Sequence, residues 1–205
     1  MALPQDNKEY GTKEYWDTRY ALEPSDATFD WFKSYADLKP HVRELVPDKA
    51  ARILILGCGN SKFSEEMYDD GYKNIVNVDY SSVVIRQMQE RHASTRPEMQ
   101  WKEMDVRDMS LFDDASFDVA IDKGTMDAMM TSSSDVWNPP EQVVQDCIAE
   151  VKEVLRVLRK PSGLFLYITF GQPHFRRRYL SFPNTVLRVK ELGEMFHYYM
   201  YIVTS

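Results

Sequence analysis

A short apolar run that ends in a glycine turn constrains this chain more than any other feature of its sequence. Ile53 to Leu56 follow one another without polar alternation, which is typical of a parallel strand covered on both faces. Gly57 and Gly59 come next, and glycine can adopt backbone conformations that a Cβ would forbid and can leave room for a ligand close to the backbone. The stretch therefore predicts a buried strand, a ligand-binding turn and then a helix over about 63–70.

An acidic residue stands at the end of the second predicted strand. Residues 75–78 form that strand, and Asp79 follows it about twenty residues after the glycines, where an acid can accept hydrogen bonds from both hydroxyls of a ribose. The dinucleotide-binding fingerprint needs a third glycine where Lys62 stands, which disfavours a nicotinamide oxidoreductase. The pattern favours a nucleoside-binding α/β domain; the alternative is a tight turn beside a solvated aspartate.

Strands and helices alternate along the rest of the chain. We predict strands at 53–56, 75–78, 99–104, 117–121 and 164–169, and helices at 63–70, 83–92, 125–130 and 139–158. Two further alternating runs, at 185–190 and 197–203, predict a β-hairpin. The fold class is therefore α/β, a doubly wound and mostly parallel seven-stranded sheet that ends in an antiparallel β-hairpin.

Aromatic residues are dense before the first strand. A short helix is predicted over 14–20 and a second, which contains Pro40, over 34–45. Trp16 and Tyr20 are four residues apart, so they share a helix face and can bear on one ligand. Together with Trp31 they either close over a ligand as a lid or fill a core, and both alternatives stay open here. We predict a single domain over 1–205, with a helical lid segment at 1–46 and the sheet core at 51–205.

Composition limits the classes of partner. Hydrophobic residues make up 43% of the 205 residues and the net charge is −7, which suits a globular domain and argues against general affinity for nucleic acid. No apolar run is as long as a membrane span. We interpret Cys58 and Cys147 as reduced thiols of a cytoplasmic protein, and we predict no metal site, no direct nucleic-acid partner and no membrane partner.

Acids also follow the third and fourth predicted strands. In a parallel sheet of this kind the ligand lies at the carboxyl ends of the strands, which here carry Gly57, Gly59, Asp79, Asp105 and Asp122. Three acids without a basic cluster make a poor site for phosphates. They suit a neutral or cationic nucleoside ligand better.

Five motifs carry a family resemblance. They are Tyr15-Trp16-Asp17-Thr18-Arg19-Tyr20, Leu56-Gly57-Cys58-Gly59-Asn60-Ser61, Val78-Asp79-Tyr80-Ser81-Ser82-Val83, Met104-Asp105-Val106-Arg107 and Asp122-Lys123-Gly124-Thr125-Met126-Asp127. Together they resemble the seven-strand, Rossmann-like methyltransferases that depend on S-adenosyl-L-methionine (AdoMet), and within these the protein-lysine methyltransferases of translation elongation factor 1A. The resemblance covers nearly the whole chain from about Tyr10. It implies AdoMet as cofactor and a lysine of elongation factor 1A as acceptor.

The resemblance also implies roles for single residues. Gly57 would lie against the methionine part of AdoMet and Asp79 would hold the ribose. Tyr80 would stack on adenine, whose edge Asp105 and the Val106 amide would read. The residues expected to close around the methionine end are Trp16, Tyr20, Trp31 and Lys123.

Fewer sequence features indicate which residues would receive the substrate lysine. Asp122 and Asp127 are the candidates for receiving the lysine, with helix capping and a solvated first turn as the alternative. His174 is a candidate proton acceptor or simply an exposed loop histidine, and the basic cluster 174–178 either docks an acidic patch of a protein substrate or is a solvated loop. The Asn138-Pro139-Pro140-Glu141 run resembles the motif of amide and nucleobase methyltransferases, but its position favours a helix start at Pro139.

Lysine methylation needs little acid–base machinery. Transfer from a sulfonium is a direct displacement, so the protein mainly aligns the reacting atoms and excludes water. A lysine with an ordinary pKa of about 10.4 must first lose its proton, and a nearby sulfonium and partial desolvation both lower that pKa. Two alternatives remain open from the sequence: a small-molecule methyltransferase with the same cofactor residues, and a non-catalytic AdoMet-binding scaffold.

Overall fold

Seven strands form one sheet in the computed structural model, which describes residues 4, 6–133, 135–193 and 196–204. The strands are β1 (Ile53–Leu56), β2 (Ile75–Asp79), β3 (Gln100–Glu103), β4 (Val119–Lys123), β5 (Leu164–Thr169), β6 (Val186–Leu192) and β7 (Tyr198–Thr204). Their order across the sheet is β3-β2-β1-β4-β5-β7-β6. Strands β1 to β5 pair in parallel, whereas β7 is antiparallel to both β5 and β6. The predicted fold class, including the C-terminal hairpin, is confirmed.

Helices cover both faces of the sheet and one end of it. They are α1 (Lys13–Leu22), α2 (Tyr35–Leu45), α3 (Phe63–Asp69), α4 (Ser82–His92), α5 (Thr125–Met130), α6 (Glu141–Val157) and α7 (Pro173–Leu180), preceded by a 3-10 turn at Asn7–Gly11. Polar side chains begin several of them: Thr12 caps α1, Ser34 forms a capping box with Asp37 at α2, and Ser81 caps α4. Among the helices of the described ranges, none is both long and apolar enough to cross a membrane.

The structure corrects several predicted elements, among them β4, α6 and the segment after β5. β4 runs over Val119–Lys123 instead of 117–121, and Phe117 makes only an isolated bridge to Leu158. Helix α6 begins at Glu141 with Pro140 as its N-cap, so the run of prolines is a helix start, two residues later than predicted. The segment expected as a loop after β5 is helix α7, which Pro173 opens in its first turn.

The core consists of two clusters, one on each face of the sheet. Alternate residues of β1 divide between them: Leu54 and Leu56 belong to the cluster that α6 covers, and Ile53 and Ile55 to the one that α2 and α3 cover. Since three residues of α2 are buried in the second cluster, α2 belongs to the core, and the lid predicted for 1–46 stays a prediction for the residues before α2.

A third, smaller cluster is formed by buried residues of two helices. It consists of Trp16, Tyr20, Val84 and Met88, and we call it the N-terminal aromatic cluster. It joins one face of α1 to α4, the helix that follows β2, and Trp101 of β3 packs against it.

Candidate active site

One cavity lies where the carboxyl ends of the parallel strands meet. Its wall includes the ten residues that the sequence analysis singled out for the cofactor: Trp16, Tyr20, Trp31, Gly57, Gly59, Asp79, Tyr80, Asp105, Val106 and Lys123. The fold therefore brings together residues that are up to 107 positions apart in the chain, from Trp16 to Lys123. The part that each plays toward a ligand stays a prediction.

Asp79 is held at the edge of this cavity by backbone amides. The Gly59 N–H donates to its Oδ2 at 3.0 Å and the Ser81 N–H to its Oδ1 at 2.9 Å. Burial raises the pKa of Asp79 to about 6, although these two amides act in the opposite direction. A carboxylate offers about four acceptor sites, so both oxygens keep capacity for further donors, such as the two hydroxyls of a ribose.

The glycine turn is shaped by the start of α5 as much as by space for a ligand. Gly57 and Gly124 both have positive φ, at +55° and +104°. A Cβ at Gly57 would collide with the side chain of Thr125, whose hydroxyl donates to the Leu56 carbonyl at 2.9 Å. Gly57 therefore permits the close approach of Thr125, whereas a Cβ at Gly124 would meet Phe32 and Trp31 of the N-terminal segment.

Asp105 is paired with Arg107 in the wall of the cavity. Arg107 donates to it from its backbone N–H at 2.9 Å and from Nη2 at 2.6 Å, and also forms an ion pair with Asp146 of α6 at 3.2 Å. Burial by itself raises the pKa of Asp105, but the hydrogen bonds from Arg107 outweigh that effect and lower it overall. Arg107 and Asp146 both line the cavity and were missed by the sequence analysis; the Asp-x-Arg spacing was the available signal for Arg107.

Lys123 connects the end of β4 to the N-terminal segment. Its ammonium donates to Asp30 at 2.9 Å and to the Trp31 carbonyl at 3.0 Å, and the Ser61 hydroxyl donates to the same Asp30 carboxylate. Burial lowers the pKa of Lys123, while Asp30 acts in the opposite direction. Asp30 thus ties the covering segment to the glycine turn and to the sheet, a role that the sequence did not reveal.

The aromatic residues of α1 cover this end of the sheet. The rings of Trp16 and Tyr20 stack at 5.7 Å, and the Trp16 indole donates to the Tyr10 carbonyl at 2.7 Å. A Cβ on Gly59 would lie 2.9 Å from the Tyr20 hydroxyl, so the helix packs directly on the glycine turn. Asp17 accepts a hydrogen bond from Ser81 at 2.5 Å, which fixes the same helix to the start of α4.

The charges around the cavity suit a ligand that carries positive charge. Its wall contains the carboxylates of Asp79, Asp105 and Asp146 and the cations of Arg107 and Lys123. Arg107 is paired with two of these acids and Lys123 with Asp30, which leaves the Asp79 carboxylate without a cationic partner among the described residues. With ribose-binding capacity at Asp79, close backbone approach at the turn and aromatic walls, these residues fit AdoMet, whose sulfonium is a cation.

Asp122 lies outside the cavity wall and is fully buried. Its two oxygens accept hydrogen bonds from the Thr125 N–H at 2.8 Å and the Met126 N–H at 2.9 Å, so it caps α5 from the end of β4. Burial raises its pKa, and burial together with the Asp122 charge raises that of the neighbouring Glu150. The structure therefore gives Asp122 the capping role that the sequence left open; direct contact with a substrate lysine would require it to leave two backbone amides.

Asp127 also lies outside the cofactor cavity, on the other side of α5. It accepts hydrogen bonds from the Tyr167 hydroxyl at 2.8 Å and the Thr169 hydroxyl at 2.6 Å, and it pairs with Arg176 at 2.8 Å. The expectation of a solvated first turn is wrong, because the side chain is only 7% exposed. A role in receiving lysine stays a prediction, and the structure places this carboxylate in the wall of a second cavity.

His174 is not brought to the cofactor cavity. It lies on α7, exposed, with its ring stacked on that of Trp137 at 5.5 Å, and it is absent from the wall that the described residues form. The prediction of a loop around His174 is wrong, because Pro173–Leu180 form helix α7. A role of His174 as proton acceptor stays a prediction.

Two kinds of similarity to known protein sequences accompany this geometry. A family model described as a methyltransferase domain matches residues 53–160. The chain is 39% identical to EEF1A lysine methyltransferase 4 of Mus musculus over 204 residues, a match that covers 98% of this chain and 78% of that protein. It is also 39% identical to the eEF1A lysine and N-terminal methyltransferase of Bos taurus, where the match covers 93% of this chain but 26% of the larger relative.

Solved structures share the architecture. A SAM-dependent methyltransferase from Aquifex aeolicus superposes with a TM-score of 0.62 at 12% sequence identity, and the match covers 92% of this chain and 98% of that one. At that identity the likeness concerns the fold, and it agrees with the sheet order and hairpin described above.

Proposed function

This chain belongs to the methyltransferase family that includes EEF1A lysine methyltransferase 4, and from that premise we propose that it transfers methyl groups from AdoMet to a lysine of translation elongation factor 1A. The observation that carries the proposal is the convergence on one cavity of the glycine turn, the Asp79 carboxylate and the aromatic residues of the N-terminal segment. The match to EEF1A lysine methyltransferase 4 over most of both chains supports the acceptor.

The residues of the cavity divide the work of holding AdoMet. Asp79 would accept the ribose hydroxyls, with Tyr80 against the adenine ring and Asp105 and the Val106 amide at its edge. Gly57 and Gly59 would leave room for the backbone to approach the methionine part. When bound, AdoMet supplies an electrophilic methyl group on a sulfonium.

The remaining residues would govern access and alignment. Trp16, Tyr20 and Trp31 would exclude water from the reacting centre, which strengthens electrostatic interactions there and favours transfer to the amine over side reactions. Lys123 would keep this covering segment closed through Asp30 and the Trp31 carbonyl. We assign no dedicated strong base to the described residues, because desolvation and the nearby positive charge lower the pKa of an entering lysine.

The test is methylation of purified elongation factor 1A. The chain is incubated with the factor and AdoMet, and mass spectrometry of proteolytic fragments locates added methyl groups. We expect a mass increase on one lysine with wild-type protein and none with Asp79→Ala. Labelled AdoMet in cell extract separates the alternatives: labelled small molecules alone would indicate a small-molecule enzyme, and AdoMet binding without any labelled product a scaffold.

We also propose a cytoplasmic location. Cys58 and Cys147 are both buried free thiols, as is usual in a reducing compartment, and the proposed acceptor is a translation factor. Fractionation of cells that express a tagged chain would test it.

A further inference from the structure

A second cavity lies beside the cofactor cavity, across helix α5. It has a volume of about 440 Å³, within the usual range of ligand sites. Its wall includes Phe170 and Gly171, which follow β5, and residues of α7. Helix α5 is the shared wall: Thr125 and Met129 face the cofactor cavity, whereas Asp127 and Met130 face the second one. A molecule in the second cavity would therefore be separated from the cofactor cavity by helix α5.

Buried Arg176 lies in the wall of this cavity, and not all of its N–H groups are used by hydrogen bonds within the described residues. It is 6% exposed, and its Nε and Nη2 donate to the Tyr167 hydroxyl at 3.0 Å and to Asp127 at 2.8 Å. The guanidinium carries five N–H groups, and Nη1 has no acceptor among the residues that the structure describes. Gly171 makes this position possible, since a Cβ there would collide with the guanidinium.

Aromatic side chains surround the opening. Phe170 is 58% exposed and Trp137 is 74% exposed, and Trp137 packs edge-on against Phe175 at 4.7 Å. Phe170 and Phe175 both belong to the cavity wall. A set of large apolar side chains left in solvent beside a cavity is typical of a binding surface.

The outer face of α7 adds positive charge. Arg177 and Arg178 are exposed, and within the described ranges neither forms an ion pair with an acid. Asp127 neutralises Arg176, so these two arginines determine the local charge on this helix, in a chain whose net charge is −7. Their charge is complementary to an acidic partner.

We propose that this second cavity, which we call the acceptor groove, binds the segment of the protein substrate that flanks the target lysine. The inference rests on the proposed function and names the recognition chemistry: an extended segment with an apolar side chain packed on Phe170 and Phe175 and a carboxylate paired with Arg177 or Arg178. Arg176 Nη1 donates to a main-chain carbonyl of that segment. The lysine then passes α5 to reach the cofactor cavity.

The test compares two exposed phenylalanines and two sets of exposed arginines. Phe170→Ala and the double variant Arg177→Glu/Arg178→Glu alter the acceptor groove. Phe196→Ala and Arg188→Glu are the matched controls, since Phe196 is 81% exposed and Arg188 lies on the edge strand β6, both outside the two cavities. We expect each groove variant to raise KM for elongation factor 1A about tenfold or more. AdoMet affinity and melting temperature should match the wild type, and the controls should keep wild-type KM.

A photocrosslink separates this inference from the proposed function. A benzophenone amino acid at position 170 or 196 is irradiated with elongation factor 1A, and cross-linked fragments are mapped. Cross-linking at 170 but not at 196, to a segment beside an acidic residue, supports the groove whether or not methyl transfer occurs. Methylation by the wild type together with unchanged KM in both groove variants and no cross-link at 170 overturns the inference and leaves the proposed function standing. A cross-link at 170 without methylation overturns the proposed function and, with it, the link of the groove to a target lysine, although the groove still binds elongation factor 1A.

Discussion

The sheet cores and the N-terminal aromatic cluster are both apolar, yet they are built on different scales. Each sheet cluster contains more than twenty buried residues drawn from strands and helices along the whole chain. The aromatic cluster has four, Trp16, Tyr20, Val84 and Met88, and joins two helices. We therefore expect the first kind of packing to determine whether the chain folds, and the second to open at a lower free energy than the sheet.

Polar contacts, in addition to the small aromatic cluster, hold the N-terminal segment on the rest of the domain. Ser81 with Asp17, Asn60 with Glu23 and Lys123 with Asp30 each join the segment before α2 to the rest of the domain. Each of these contacts involves a charged side chain, and when the segment opens the contact is exchanged for hydrogen bonds to water. We therefore predict that the sheet provides most of the free energy of unfolding. The covering segment should contribute to cofactor affinity instead.

The largest effect is expected in the sheet. Phe165 of β5 is fully buried, so Phe165→Ala should lower the free energy of unfolding by about 3–5 kcal/mol through lost burial and a residual cavity. Urea denaturation measures it. A loss below about 1 kcal/mol would mean that the sheet core does not carry the stability, and the comparison would fail.

Removal of the strand-end acid should affect binding and spare the fold. Asp79→Ala removes a charged hydrogen-bond acceptor, which should weaken AdoMet binding by about 1.5–3 kcal/mol as measured by calorimetry. The unfolding transition should stay cooperative. Unfolding of the variant, or normal AdoMet affinity, would show that Asp79 does not hold the ribose.

Acidification should act through the same residue. The pKa of Asp79 is raised to about 6 in the free protein, so protonation below that pH removes acceptor capacity and AdoMet affinity should fall about tenfold from pH 8 to pH 5. Its contribution to stability has the opposite sign: a raised carboxyl pKa favours the folded state at low pH, and this contribution is lost as pH rises through 6. Asp79→Asn is the control, and its affinity should vary less with pH; an identical pH profile in both proteins would assign the dependence to another group.

The smallest effect is expected in the covering segment. Trp16→Ala should weaken AdoMet binding by about 0.5–1.5 kcal/mol, the usual contribution of an aromatic contact, with the main melting transition nearly unchanged. Leu22→Ala is the control, because Leu22 is exposed at the end of the same helix and lies outside the cavity wall. A large fall in melting temperature with normal affinity would make Trp16 a core residue.

Sequence patterns sufficed wherever backbone topology places a residue. The continuous apolar run at Ile53, the positive-φ glycines and the acid that ends β2 all follow from the local chain, and a parallel sheet collects strand ends at one edge. For that reason the sequence alone predicts that Gly57, Asp79 and Asp105 lie in one cavity.

Residues whose roles depend on partners from distant elements could not be predicted in this way. Asp122 and Asp127 stand close in sequence, but one caps α5 and the other pairs with Arg176, 49 positions later. No local spacing encodes that ion pair, and the helix that carries Arg176 was predicted as a loop because its short polar run lacks an apolar face long enough to recognise. Asp30 was missed for the same reason, since its partners are Ser61 and Lys123.

The packing of α1 on α4 has a consequence for how affinity can evolve. Val84 and Met88 lie outside the wall of the cofactor cavity, yet they hold Trp16 and Tyr20 in place. If only a fraction of free molecules has this segment closed, the measured dissociation constant equals the intrinsic one divided by that fraction. In that case substitutions on the buried face of α4 would tune cofactor affinity without touching the cofactor, and selection could adjust saturation of the enzyme through an equilibrium between two shapes of the free protein.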